Sequence, residues 1–141
     1  MLARADTIVI ELAGPPKGKG RPRFARATGH AYTPAETRHY ESHLRLAAQR
    51  AMAGRLPAEG PVTVDVVATM PSPASWSRKK QEQAANGEIY PLSTPDADNL
   101  LKMLDGFNEI VWRDDKQIVA ALVRKRYGRA PSFRVTVQVG V

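Results

Sequence analysis

The chain has 141 residues, 43% of them hydrophobic and 25% charged, with a net charge of +7 and a pI near 10.1. This suits one globular domain with its own core and favours anionic partners, nucleic acid first. With no cysteine, disulfides, thiolate nucleophiles and cysteine-ligated zinc are excluded, and no apolar run reaches membrane length or reads as a secretory leader, so a cytoplasmic protein without a membrane partner is expected.

Residues 7–12, Thr-Ile-Val-Ile-Glu-Leu, predict a first strand. Residues 14–26 then carry five cations, three prolines, three glycines and no acid. Such a segment forms neither a helix nor a central strand, so a basic loop is expected. Residues 34–52 predict a helix. Thr33 is a candidate N-cap, Pro34 suits the first turn, and Glu36 completes a capping box. Leu44, Ala47, Ala48 and Ala51 give that helix a small apolar stripe.

Residues 62–70 are β-branched and partly alternating, as in a strand. A connection rich in proline follows, then a short helix over residues 77–85 and another irregular stretch. Residues 99–108 predict a second main helix. Residues 117–127 and 133–139 predict two more strands, joined as a hairpin across Gly128-Arg-Ala-Pro131. The expected fold is α+β: a single domain with a small mixed sheet of about four strands and two main helices.

Six of the fourteen acidic residues fall between Asp96 and Asp115, although the chain as a whole is strongly basic. A knot of carboxylates in a cationic protein is costly unless something positive sits in it. Asp96 and Asp98 are expected in extended chain before the helix, pointing the same way, with Asp98 or Asn99 as the cap. Lys102 lies one helical turn after Asp98. Asp114 and Asp115 arrive just before a strand, where one of them can return to Asp96 and Asp98. Hard divalent cations take oxygen ligands. Two such ions can clamp an in-line phosphoryl displacement, with Lys102 neutralising charge that grows on phosphorus. The bland alternatives are helix caps, a solvated i,i+4 ion pair and a turn before a strand.

Three basic clusters complete the pattern. Lys17, Lys19, Arg21, Arg23 and Arg26 line the glycine-proline loop. Arg78, Lys79 and Lys80 lie beside Trp76, and Arg124, Lys125, Arg126 and Arg129 lie near the last turn. Arginine forks on such a loop suit a phosphate backbone, and the alternative is a solvated basic surface. His30, His39 and His43 stand apart from the acidic motif and read as surface residues. Trp76 and Trp112 read as packing anchors, Asp65 as a solvent-facing strand residue, and Tyr40 carries no signal.

Asp96-x-Asp-Asn-Leu-Leu-Lys102, then Asp105-Gly-Phe-Asn108, then Val111-Trp-Arg-Asp-Asp-Lys-Gln-Ile118 together resemble the RusA family of Holliday junction resolvases. Pro16-Lys-Gly-Lys-Gly-Arg-Pro-Arg-Phe24 resembles that family's N-terminal basic loop. Tyr32-Thr-Pro and Thr37-Arg-His-Tyr-Glu41 resemble the start of its first helix, and Trp76-Ser-Arg-Lys-Lys80 the approach to its acidic motif. The resemblance covers almost the whole chain. It implies a homodimeric, magnesium-dependent endonuclease, with manganese as a substitute, of phage or prophage type. Such an enzyme binds four-way DNA junctions and nicks two strands symmetrically. It also implies Asp96, Asp98 and Asp115 as metal-binding carboxylates, Lys102 as the catalytic lysine and Asp114 as the other member of the Asp-Asp pair. Rival readings are a less selective nuclease of flaps or other branched DNA, and a branched-DNA-binding protein without catalysis. Two positions depart from the family pattern. Thr94 replaces a basic residue before Pro95. The step from Lys102 to Asp105 is one residue short, so either the helix ends early or Asp105 faces elsewhere, and Asp105 is left out of the expected site.

Overall fold

A computed structural model describes residues 6–19, 23–24, 31–32 and 35–140. Strand β1 (Asp6–Ala13) leads to a two-residue ladder in which β2 (Arg23–Phe24), inside the expected basic loop, pairs with β3 (Ala31–Tyr32) beyond it. Helix α1 (Ala35–Met52), β4 (Val62–Met70), α2 (Arg78–Ala85) and α3 (Ala97–Lys102) follow, and β5 (Ile118–Tyr127) and β6 (Ser132–Val139) close the chain. The expected capping residues Thr33 and Pro34, and also Arg21, Arg26 and His30, lie outside the described residues.

The four long strands form one mixed sheet in the order β1-β6-β4-β5. β6 is antiparallel to both β1 and β4, whereas β5 is parallel to β4. The hairpin expected between β5 and β6 is therefore absent: the last turn carries the chain across the end of β4 instead. Gly128 shows why. Its N–H donates to the Met70 carbonyl at 3.0 Å, and a Cβ there would collide with the Thr69 side chain. A parallel β4–β5 pair needs a crossover, and the crossover holds α2, α3 and the acidic motif.

Alternation divides the sheet into two faces. Val62, Val64, Val66 and Ala68 of β4 and Phe133, Val135 and Val137 of β6 point to the core, where Ile8 and Ile10 join them. Helix α1 covers this face with Tyr40, Leu44, Ala48 and Met52. Tyr40, which carries no signal in the sequence, is thus a core residue, set edge-on to Phe133 at 6.4 Å. Burial pushes its hydroxyl pKa up to about 12. Leu100, Met103, Leu104, Phe107 and Trp112 fill the remainder of the core. The opposite face is more polar, and there Arg124 donates to Asp65 at 2.8 Å.

The second main helix is shorter than expected. The α-helical winding stops at Lys102, and Met103–Phe107 continue as a 3-10 helix. That tighter winding turns about 120° per residue, against about 100° in an α-helix. Three 3-10 steps close a full turn, so they recover the face that a one-residue deficit would otherwise lose.

Candidate active site

Asp96 caps α3, its Oδ1 accepting from the Asn99 N–H at 2.7 Å. The helix therefore starts one residue after Asp96, and Asp98 is already in its first turn. This corrects the expected extended pair capped by Asp98 or Asn99: Asp96 and Asp98 do not sit side by side along a strand. Asp98 Oδ2 lies 3.0 Å from Lys102 Nζ, both groups being exposed. The i,i+4 spacing and the helix both support that pair.

Asp105 follows on the 3-10 segment, and Asp115 approaches from the start of β5. These residues meet at a cleft of about 400 Å³ lined by Asp98, Lys102, Asp105 and Asp115. Leu101, Leu104 and the first residues of β5 supply its apolar wall. Asp105, left out of the expected site, lines the same cleft as Asp98, Lys102 and Asp115. The signal was in the motif, but its direction depends on the backbone winding between Lys102 and Phe107.

The Asp114-Asp115 step is fixed by an interlocked turn. Asp114 Oδ1 accepts from the Lys116 N–H at 2.9 Å, and the Asp114 N–H donates to Gln117 Oε1 at 2.9 Å. Gln117 Nε2 then donates to the carbonyls of Ala58 and Gly60, each at 2.9 Å. Upstream, Trp112 is fully buried, its ring 5.7 Å from that of Phe107 and its Nε1–H donating to Asn108 Oδ1 at 2.8 Å. The Trp-x-Asp-Asp-x-Gln spacing thus has a mechanical reading. The indole anchors one end in the core, the glutamine ties the other to the loop before β4, and the two aspartates stand between.

Asp115 feels its neighbours. The adjacent Asp105 carboxyl, some burial and then Asp114 raise its pKa above the usual carboxylate range. Asp114 shifts the other way, held low chiefly by the Lys116 backbone N–H. Asp98 and Asp105 each have a lysine beside them, but Asp115 is set against the Asp105 and Asp114 carboxyls, a crowding of like charge that a divalent ion relieves. Among the described residues, no three His, Cys, Asp or Glu side chains form a ready-made metal cluster. An open set of exposed carboxylates still fits magnesium, which keeps several waters and is held by one or two carboxylates plus substrate phosphates.

The basic residues spread around this centre. The loop reaches the cleft at Lys19, whose Nζ lies 3.4 Å from Asp105 Oδ2 and 4.0 Å from Glu41 Oε1. Lys17 is exposed on the same segment. Arg23 is described only through its pairing with Tyr32. On α2, Arg78 shares a second hollow, of about 420 Å³, with Arg129. Lys79 is exposed, and Lys80 stands over the Trp76 ring at 4.1 Å. Trp76 packs in turn on Tyr127, at 5.3 Å. Asp115 stands just before β5 and Tyr127 at its far end, a strand of roughly 30 Å, so the α2 cations lie well away from the cleft. Glu41, beside Lys19, was not expected at the site.

No helix is long and apolar enough to cross a membrane among the described residues. The family model described as "Endodeoxyribonuclease RusA" matches residues 13–139. The "Uncharacterized protein YqaN" of Bacillus subtilis (strain 168) is 33% identical over 138 residues, covering 94% of this chain and 96% of that protein. With nearly the whole sequence matched and the acidic motif folded around one cleft, the chain belongs to the RusA family of endodeoxyribonucleases.

Proposed function

We propose that the protein is a magnesium-dependent, structure-selective endonuclease that resolves four-way DNA junctions by paired symmetric nicks. One observation carries this reading: Asp98, Lys102, Asp105 and Asp115 share one cleft in a protein of net charge +7. Carboxylates that repel phosphate belong beside it only if a cation comes between them.

In this reading Asp115, Asp105 and Asp98 hold the ion. Asp114 stands next in the chain, and Asp96 has a second oxygen to offer beyond the one used in capping. Magnesium held there, or manganese in its place, would lower the pKa of an attacking water and stabilise the leaving oxygen. Lys102 moves from Asp98 toward the scissile phosphate and offsets the charge that builds there. Water attacks phosphorus, the bond to the 3′ oxygen breaks, and that oxygen takes a proton. The products are a 3′-hydroxyl and a 5′-phosphate. The loop cations Lys17, Arg21, Arg23 and Arg26, with Arg78, Lys79 and Lys80 on α2, hold the arms through their phosphates. Two copies related by a two-fold axis present two clefts to equivalent strands of the junction.

The test is cleavage of a labelled immobile four-way junction beside linear and flapped duplexes of matching sequence, with and without magnesium. Paired symmetric nicks on the junction alone, dependent on magnesium, support the proposal. Equal cutting of flaps makes the enzyme a less selective nuclease. Tight junction binding without cleavage in magnesium or manganese makes it a binding protein and refutes the catalytic assignment.

A further inference from the structure

Lys19 belongs to the loop whose cations suit phosphate, yet its ammonium is turned inward. It lies 3.4 Å from Asp105 Oδ2 and 4.0 Å from Glu41 Oε1. The fold puts it there. The Lys19 N–H donates to the Asn99 carbonyl at 3.1 Å, fastening the loop to α3. Gly18 permits the close approach: a Cβ on it would stand 2.7 Å from Pro95 Cβ and 2.9 Å from Asn99 Cβ. Glu41, on α1, is largely covered, and its Oε1 has no hydrogen-bond partner among the described residues. The ammonium stands between the two acids and closer to Asp105, so the covered Glu41 oxygen, at ion-pair distance but not hydrogen-bonded to it, is a second berth into which it can settle.

We propose that Lys19 is the resident counter-ion of the site: its ammonium competes with a divalent cation for Asp105 and retires to Glu41 when the cation binds, so the pair sets the cation concentration at which the site fills. The inference rests on the reading that Asp105 and Asp115 hold the ion. Lys19 and Glu41 are then positioning residues, and the loop reports to the cleft whether a cation is present. The charge logic gives opposite signs for the two side chains. Removing the ammonium removes a repulsion against the incoming ion and frees Asp105, which tightens cation binding. Removing the Glu41 charge takes away the berth, leaves Lys19 on Asp105 and weakens cation binding.

Manganese binding to the full chain without DNA, followed by the electron paramagnetic resonance of the free ion, reads this directly. Lys19→Met should lower the manganese Kd about threefold or more, and Glu41→Gln should raise it by a similar factor. Lys19→Arg should stay near the starting protein. In metal-free buffer, the salt dependence of junction binding should be the same for Lys19→Met and the starting protein. A salt slope reduced by about one would make Lys19 a phosphate contact and overturn the proposal. Manganese binding that is present but unmoved, or moved the same way by both variants, overturns it while leaving the metal site standing. Should Glu41→Gln not fold, the sign of the Lys19→Met shift alone decides. No manganese binding by the starting protein sinks both the metal site and the inference.

Discussion

Gln117 gives the sharpest test of how the cleft is held. Its side chain accepts from the Asp114 N–H and donates to the carbonyls of Ala58 and Gly60, all at 2.9 Å. A neutral hydrogen bond contributes about 1 kcal/mol net, and less where water can replace a partner. Gln117 is half-buried and the Gly60 bond is exposed, so Gln117→Ala should cost about 2 kcal/mol. In a domain of this size that lowers Tm by roughly 6 °C. The functional effect should be larger, because Asp115 is carried on the turn that Gln117 ties down. A displacement near 1 Å costs about 100-fold in rate. Gln117→Glu is the control: it can still accept from Asp114 but sets a carboxylate against two carbonyl oxygens, so it should be at least as damaging. The assay pairs thermal unfolding with single-turnover cleavage of a four-way junction. A Gln117→Ala protein within about 1 °C of the starting Tm and with full activity would refute the argument that this residue positions the Asp-Asp turn.

Asp98→Asn should reduce junction cleavage about 100-fold or more, while metal-free junction binding is kept or strengthened, because a charge facing phosphate is gone; loss of folding instead would mark Asp98 as structural. Because folding raises the Asp115 pKa, the folded state holds that proton more tightly than the unfolded chain. Its contribution to stability is therefore present at low pH and lost as pH rises through the raised midpoint. Asp114, held low, contributes the opposite way: stability present above the ordinary carboxylate range and lost as pH falls through its depressed value. Carboxyl NMR of metal-free protein should show the Asp115 midpoint falling toward the ordinary range in Asp105→Asn, and an unmoved midpoint would remove Asp105 as the chief cause. Arg78→Ala combined with Arg129→Ala should weaken junction binding and flatten its salt slope by up to about two without changing manganese affinity, and unchanged binding would take that hollow out of the DNA surface.

Much of this architecture is legible in the residues. The β-branched run of β4, the alternation of β6 and the spacing in α1 each specify an element, since period and composition report local geometry. Pairing is another matter. Nothing in residues 117–139 tells that β4 lies between the last two strands, because a short turn with glycine and proline serves a hairpin or a step across a neighbour. Gly128 resolves it only once Thr69 is known to lie beneath. The site shows the same division. Asp98, Lys102 and Asp115 stand out by spacing, and the cleft unites them. The sequence reads Asp96 and Asp98 as extended chain because a cap two or three residues earlier leaves the same signature. Asp105 was left out because a missing residue reads as a rotation of the helix face, and the compensating 3-10 winding is a property of the backbone. Glu41 lies far from the motif in sequence, so only tertiary contact brings it to Lys19.

Among the described residues strand β5 is hydrogen-bonded to β4 alone, and their pairing is parallel across a long crossover. Asp98, Lys102 and Asp105 lie within that crossover, and Asp115 stands at its end. Closing so long a loop is slow relative to forming local helices and turns. Until β5 docks on β4, Asp115 is not held beside Asp98, Lys102 and Asp105, so the cleft is a property of the finished sheet and not of any local segment.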